Sequence, residues 1–480
     1  MDALDELWQQ TRPAFTQDRT WERARRLALS ALLCLGRHTL TGLLTTAGRQ
    51  FTDWSADFRL FERGRFDPET LFRVARQAVQ PQEDPTAPFV VAMDDTLLHK
   101  RGRKVHGTAW RHDSQGPAFH VNFVWALRFL QCSVLVPEHS GPSRARAIPI
   151  DLQHCPTPQR PRPNAPKEAQ EAYRQEQQRC NLSQQGSQRI HHLREELDQD
   201  PTGTERPLIV CVDGGFTNKT VLKHLPERTT LIGRIRKDAK LYALPETPPN
   251  APGRKRSYGD RLPTPDALRQ DDSTPWQSIS AFAAGKIHSF QIKTLSAVRW
   301  RPAGGQQTLL LLVIRPLHYR LTRHSPLLYR DPCYLLCTDP NLPLEQVLQH
   351  FLHRWEIELN FRDEKTLLGM EQPQVRIPQS VASSPAFFTA AYAFLLLAAQ
   401  RTDGIPQRLQ SVTPKWRPNN PNHRPSTAEL ISLLRQELWG LAIQTHPFSG
   451  FPNPSPYTTK PQNLHRLQNS LHSACFYAQK

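Results

Sequence analysis

The chain has 480 residues, too many for one hydrophobic core, and 61 Lys or Arg against 44 Asp or Glu give a formal net charge of +17. That balance calls for a polyanionic partner, and nucleic acid suits a chain of this size. No apolar run reaches membrane length, the opening MDALDELWQQ carries no secretory pattern, and eight scattered cysteines argue against a disulfide framework.

Residues 1–84 read as a helical N-terminal domain. Within it GRHTLTGLLTTAGRQF could be helix, turn and helix, a possible DNA-binding element or ordinary helix packing. From Pro88 the pattern turns to strands. PFVVAMDDT is apolar throughout, as in a strand buried on both faces, and FHVNFVWALRFL and SVLVP follow as two further strands. The polar stretch 154–200 holds two helical segments, KEAQEAYRQEQQ and QRIHHLREELDQD. RPLIVCVDGGFTNKTVLKHLP predicts a strand, a Gly-Gly turn and a short helix capped by Thr217, and TTLIGRIRKDAKLYAL adds a strand. Residues 239–330 form a β-rich insertion with a proline-rich, charged start. Residues 331–400 return to the core with a long helix opened by Pro343 and closed by Gly369, and Pro385–Ala399 read as a buried helix. Residues 401–480, with nine Lys or Arg, three acids and ten prolines, are expected to be a basic, partly extended region with one helix near Thr427–Leu441.

The segment Phe351–Lys365, FLHRWEIELNFRDEK, carries the strongest signal. On a continuous helix Arg354, Glu358 and Lys365 lie within roughly 40° of one another, with Phe351 about 20° further on. One carboxylate is thus held between two cations. The bland alternative is an amphipathic helix with i,i+4 ion pairs. Upstream, Asp94 and Asp95 end one apolar strand and Asp213 ends another before a Gly-Gly turn. An acid in such a place is costly unless a metal or donors compensate it. Three separated acids are what two divalent metals about 4 Å apart need for phosphoryl transfer.

The spacing F-x2-R-x3-E-x6-K, with HRW-x-IE inside it, resembles the Tyr-Arg-Glu-Lys signature of DDE transposases of the insertion-sequence type, with Phe351 where that family usually has Tyr. The resemblance covers roughly residues 85–240 and 330–370. It implies an α/β fold: a ribonuclease-H-like core, residues 85–238 and 331–400, with the β-rich insertion before its last catalytic helix. It implies cut-and-paste transposition: metal-dependent cleavage at terminal inverted repeats, then strand transfer into target DNA by a homodimer. Asp213 and Glu358 become metal ligands for two Mg²⁺, with Mn²⁺ as substitute. Alternation cannot choose between Asp94 and Asp95 on a strand buried on both faces. Family members carry the catalytic Asp directly before a Thr, so the resemblance selects Asp95, with Asp94 in reserve. It also assigns Arg354 and Lys365 to phosphates near the cleaved end, and a bacterial cytoplasmic, nucleoid-associated location.

Several other residues carry two readings. Arg234, with Arg236 on the same face of its strand, could meet DNA. Trp300 could stack on a flipped base or pack in the core. Lys100, Arg101, Arg103 and Lys104 could contact phosphates or form a solvated loop. His99, His106 and His112 are irregularly spaced, which speaks against a zinc site, as does the lone pair Cys333 and Cys337. Two other functions remain open: a structure-specific nuclease or resolvase on the same fold, and a non-catalytic DNA-binding protein derived from a transposase.

Overall fold

The computed structural model describes residues 1–79, 87–113, 116–117, 119–200, 203–246, 256–320, 323–402 and 424–445. The expectations for 403–423 and for everything after Thr445 lie outside these residues.

An eleven-stranded mixed sheet runs through the molecule. Its centre is β1 (Phe89–His99), β5 (Leu208–Val212) and β6 (Thr229–Arg234), three parallel neighbours. β5 and the first half of β1, Phe89–Met93, are apolar runs without alternation because helices cover both their faces. On one side β1 pairs antiparallel with β3 (Phe123–Pro137), whose far edge carries β2 (Ala109–His112) and β4 (Ala145–His154). The two strands expected between Phe119 and Pro137 are therefore one. Its central residues Ala126–Leu135 are continuously buried apart from Arg128, and nothing in them breaks the chain.

On the other side β6 is followed by β13 (Cys333–Cys337), β10 (Leu309–Ile314) and β9 (Lys286–Trp300), all antiparallel; β9 also pairs with β7 (Leu241–Tyr242) and β8 (Gln277–Ala283). The β-rich stretch thus extends the central sheet. β11 (Leu317–Tyr319) and β12 (Leu328–Arg330) form a separate hairpin.

Five helices open the chain: α1 (Asp2–Gln10), α2 (Asp18–Leu33), α3 (Leu40–Thr46), α4 (Ser55–Glu62) and α5 (Pro68–Val79). α1, α2, α4 and α5 present apolar stripes, such as Leu4, Leu7 and Trp8 of α1, to α12 (Pro378–Arg401), and α3 packs on α2. They share one core with α12, α13 (Thr427–Thr445) and the outer part of β3 and β4. By length and composition α12 could cross a membrane, yet its apolar window is 94% buried inside the protein.

The two faces of the central sheet are covered by different helices. α6 (Lys167–Arg179) and α7 (Leu182–Gln199) link β4 to β5, and α8 (Lys219–Leu222) links β5 to β6. α7, α8 and α9 (Pro265–Gln270) pack on the face formed by Val91, Met93, Val210 and Val212. α10 (Leu344–His353) and α11 (Glu356–Thr366) pack on the opposite face, against Val90, Ala92, Ile209 and Cys211.

Candidate active site

β5 stops where Val212 pairs with Met93. Asp94 and Asp213 are the next residues along two parallel neighbours, so they lie side by side, about 4.8 Å apart strand to strand, where β5 ends and β1 runs on to His99. In α/β sheets that is where ligands usually bind. Alternation then separates the acid pair. Val90 and Ala92 face α11, so Asp94 does too; Met93 faces α7, and Asp95 follows it. Their partners agree. Asp94 Oδ2 accepts from Arg354 Nη1 at 2.9 Å, and its Oδ1 accepts from the Asp95 amide at 2.9 Å. Asp95 Oδ2 lies 3.1 Å from Arg128 Nε and remains a quarter exposed.

The segment read as one helix is two, α10 and α11, joined at Arg354 and Trp355. Both junction residues keep helical dihedrals. The amides of Trp355, Ile357 and Glu358, however, bond three residues back, to Leu352, Arg354 and Trp355. This tighter turn advances about 120° per residue, so the single stripe through Arg354, Glu358 and Lys365 is broken there. What the junction does instead is turn the Arg354 guanidinium onto β1. The Phe351 ring lies 5.7 Å from its Cζ, so the aromatic body supports the cation without a phenol hydroxyl. Arg354 Nε is buried with no acceptor among the described residues.

A buried polar network fixes α11. Asn360 donates to the Ala147 carbonyl at 3.0 Å and accepts from Ser133 Oγ at 3.0 Å; Asp363 accepts from Thr427 Oγ1 at 2.6 Å and Tyr392 OH at 3.4 Å. Gln131, with its amide nitrogen toward α11, donates to both oxygens of Glu364 at 3.1–3.2 Å. Glu364 is fully buried, which pushes its carboxyl up to about 8 despite the Lys365 charge nearby. Sequence spacing hides this network, because its members come from β3, β4, α11, α12 and α13.

The electrostatics join the acids. Burial raises Asp94 to about 7; Arg354 opposes the rise, and Asp213, Glu358 and Asp95 add to it. Asp95 is raised by burial, relieved by Arg128, and raised again by Asp213 and Glu358. Four carboxylates therefore act on one another. Asp213 Oδ1 accepts from the Gly215 amide at 2.8 Å, and Thr217 Oγ1 donates to the Asp213 carbonyl at 2.9 Å. The α8 cap is Asn218, whose Oδ1 accepts from Thr220 and Val221; Thr217 is spent on the turn itself. Glu358 and Lys365 are half-buried and make no hydrogen bond or ion pair among the described residues.

The other candidates separate. Arg234 is exposed on the α11 side of β6, since Ile232 shares its face and packs with α11. Arg236 lies beyond the strand, paired with Asp238 at 3.0 Å. Trp300 is half-buried against Leu241 and Val298 on β9, five strands from β1 and on the order of 24 Å away, which is the packing reading. Lys100 donates to the carbonyls of Glu371 and Pro373, whereas Arg101, Arg103 and Lys104 are exposed. Among the described residues His99, His106 and His112 form no ligand cluster, and Cys333 and Cys337 are free thiols.

A second acidic group was not anticipated. Glu69, His192 and Glu196 place ligand atoms within 4.8 Å of one another, close enough to hold a metal ion. Arginines already fill it. Arg76 bridges Glu69 and Glu196, Arg73 reaches Glu196 at 3.1 Å, and Arg189 reaches Glu69 at 3.3 Å.

Residues 11–307 match the DDE superfamily endonuclease family. The chain belongs to that family. It is therefore a DDE-type nuclease or transposase whose substrate is DNA, and DDE nucleases use divalent metal ions. The match contains Asp94, Asp95 and Asp213 and ends before α10 and α11, so Arg354, Glu358 and Lys365 lie outside it. No curated protein matches the chain.

Proposed function

We propose that this DDE endonuclease is a transposase of the insertion-sequence type, which cleaves the ends of its element and joins them to target DNA. The observation that carries the reading is the meeting of Asp94, Asp213, Glu358 and Arg354 at the carboxyl end of β5, beside the middle of β1. The order β4-β3-β1-β5-β6, with only β3 reversed, supports a ribonuclease-H-like core.

The metal ligands in this reading are Asp94, Asp213 and Glu358. Asp94 replaces Asp95 because it shares a sheet face with α11; Asp95 is turned to the α7 face and held by Arg128. The oxygen-only donor set suits Mg²⁺ or Mn²⁺, and a buried Asp94 raised further by the charges of Asp213 and Glu358 gains from a divalent cation beside it. When bound, such ions supply charge stabilisation to the attacking and leaving oxygens. Arg354 offers a planar fork with one donor unclaimed, suited to a phosphate beside the cleaved bond, while Lys365 and Arg234 present point or forked charge on the same side. A homodimer would pair two element ends.

The test is incubation of the full chain with labelled DNA carrying the native element ends and Mg²⁺. Cleaved ends joined to a target plasmid support the transposase. Cleavage without joining of pre-cleaved ends would make it a nuclease, and DNA binding without either would make it a non-catalytic derivative.

A further inference from the structure

The outer face of the β2–β3 hairpin is aromatic and basic, and among the described residues no helix or strand packs on it. Trp110 pairs with Trp125 and His112 with Phe123 across the two strands, so all four side chains point the same way. Trp110 and Phe123 are each 54% exposed. Arg103 lies against this face with its Cζ 5.2 Å from both indole centroids, and the two indoles meet edge to face at 5.7 Å. The Trp125 indole nitrogen donates to the Gly102 carbonyl at 3.1 Å, which pins the Arg101–Lys104 loop to the strand. Arg103 has no carboxylate partner among the described residues. Residues 100–137 contain six Lys or Arg and one acid, Asp113, a net charge of +5.

Large apolar rings are seldom left in water, and a cation between two of them adds an attraction for a flat, electron-rich, negatively charged ligand. Nucleobases on a phosphate backbone have that chemistry, and only unpaired bases offer a ring face for stacking. Position agrees. Odd-numbered residues of β3 share the side of Gln131, which stands opposite Asp94, so the aromatic face and α11 lie on one side of the sheet. Six residues of β3 separate Trp125 from Gln131, about 20 Å along the strand.

We propose that Trp110, Phe123 and Trp125, with Arg103, form a stacking platform for an unpaired stretch of DNA running from the acidic site. The proposal rests on the reading that the chain processes DNA ends. Trp110 and Phe123 supply ring faces, and Arg103, Arg101 and Lys104 meet the phosphates.

Full-length wild type and the variants Trp110→Ala, Phe123→Ala and Arg103→Ala would be titrated with labelled oligothymidylate of about 15 nucleotides and with a duplex of the same length. Trp110→Ala and Phe123→Ala should each weaken single-strand binding about tenfold and leave duplex binding within about twofold. Trp110→Phe, which keeps a ring, should recover most of the loss. Arg103→Ala should weaken both probes and flatten the salt dependence. Trp110→Ala and Phe123→Ala proteins that melt like wild type but bind the single strand unchanged, or lose both probes equally, would overturn the platform. So would a Trp110→Ala protein with altered sedimentation mass and unaltered single-strand affinity, since the face would then join two copies of the chain. These results leave cleavage at element ends untouched; a wild type that binds neither probe removes both readings.

Discussion

Two acidic groups in this protein look alike by composition and differ in charge balance. At Glu69, His192 and Glu196, three arginines surround two carboxylates. Burial alone would raise Glu69, but His192, Arg76 and Arg189 outweigh it and hold the carboxyl well below its ordinary range. At Asp94, Asp95, Asp213 and Glu358, the pairing cations are Arg354 and Arg128, and both strand acids remain above their ordinary values. The first group is compact and complete. The second is looser and holds excess negative charge. Proximity of ligand atoms is thus a poor guide to a metal site, and uncompensated charge is a better one.

The largest expected effect separates the groups directly. Asp94→Asn, Asp213→Asn and Glu358→Gln should each abolish Mg²⁺-dependent nicking, on the order of a thousandfold or more, with melting temperature nearly unchanged. Asp95→Asn should cost far less. Equal losses for Asp94→Asn and Asp95→Asn would break the assignment by sheet face.

Next come the cations around the open site. Arg354→Ala and Lys365→Ala should lower cleavage and joining about ten- to a hundredfold, the worth of one charge-assisted phosphate contact. Arg354→Lys should recover only part, since the fork is lost. If melting temperature falls in proportion to activity across this series, these side chains serve only the helix surface.

In the closed group the same kind of change should read out as stability. Arg76 is 5% exposed and bridges two carboxylates, so Arg76→Ala should destabilise by about 3 kcal/mol without altering the metal dependence. A depressed carboxylate contributes stability above its unfolded pKa and loses it as pH falls through the folded value. Glu69 should therefore keep its contribution well into acid in the wild type, whereas in Arg76→Ala denaturation melts should show the loss at higher pH.

The last effect, read from pH dependence alone, concerns Glu364. Its folded value near 8 is raised, so wild-type stability should fall as pH rises from about 4.5 to 8, by at most about 1.4 kcal/mol per pH unit, and then level off. Glu364→Gln should remove the part of that slope nearest pH 8 and leave the part that Asp94, raised to about 7, contributes. A wild type with no slope in that window would place Glu364 in a different charge state.

How much of this was legible in the sequence depended on distance along the chain. β1, β5 and the Asp213 turn could be read because apolar runs end in an acid or Gly-Gly locally. The family signature drew attention to Arg354, which bonds Asp94, and to Glu358, but helical periodicity alone could not reveal the three i→i+3 bonds around Trp355. Nor could it separate Asp94 from Asp95, because their difference depends on which helix covers which face of β1. The Glu69 group joins α5 to α7 across 123 residues, and no local pattern announces it. The β-rich stretch was read from its strands, while its fusion to the central sheet is a matter of edge pairing between β6 and β13.

The account's central claim is that the open acidic site takes the divalent ion and the closed one does not. Mn²⁺ binding to the full chain, followed by paramagnetic resonance or calorimetry in wild type, Asp94→Asn, Asp213→Asn and Glu69→Gln, tests it most directly. The account predicts saturable binding that is lost in Asp94→Asn and Asp213→Asn and kept in Glu69→Gln. Binding that survives Asp94→Asn and disappears in Glu69→Gln would contradict it.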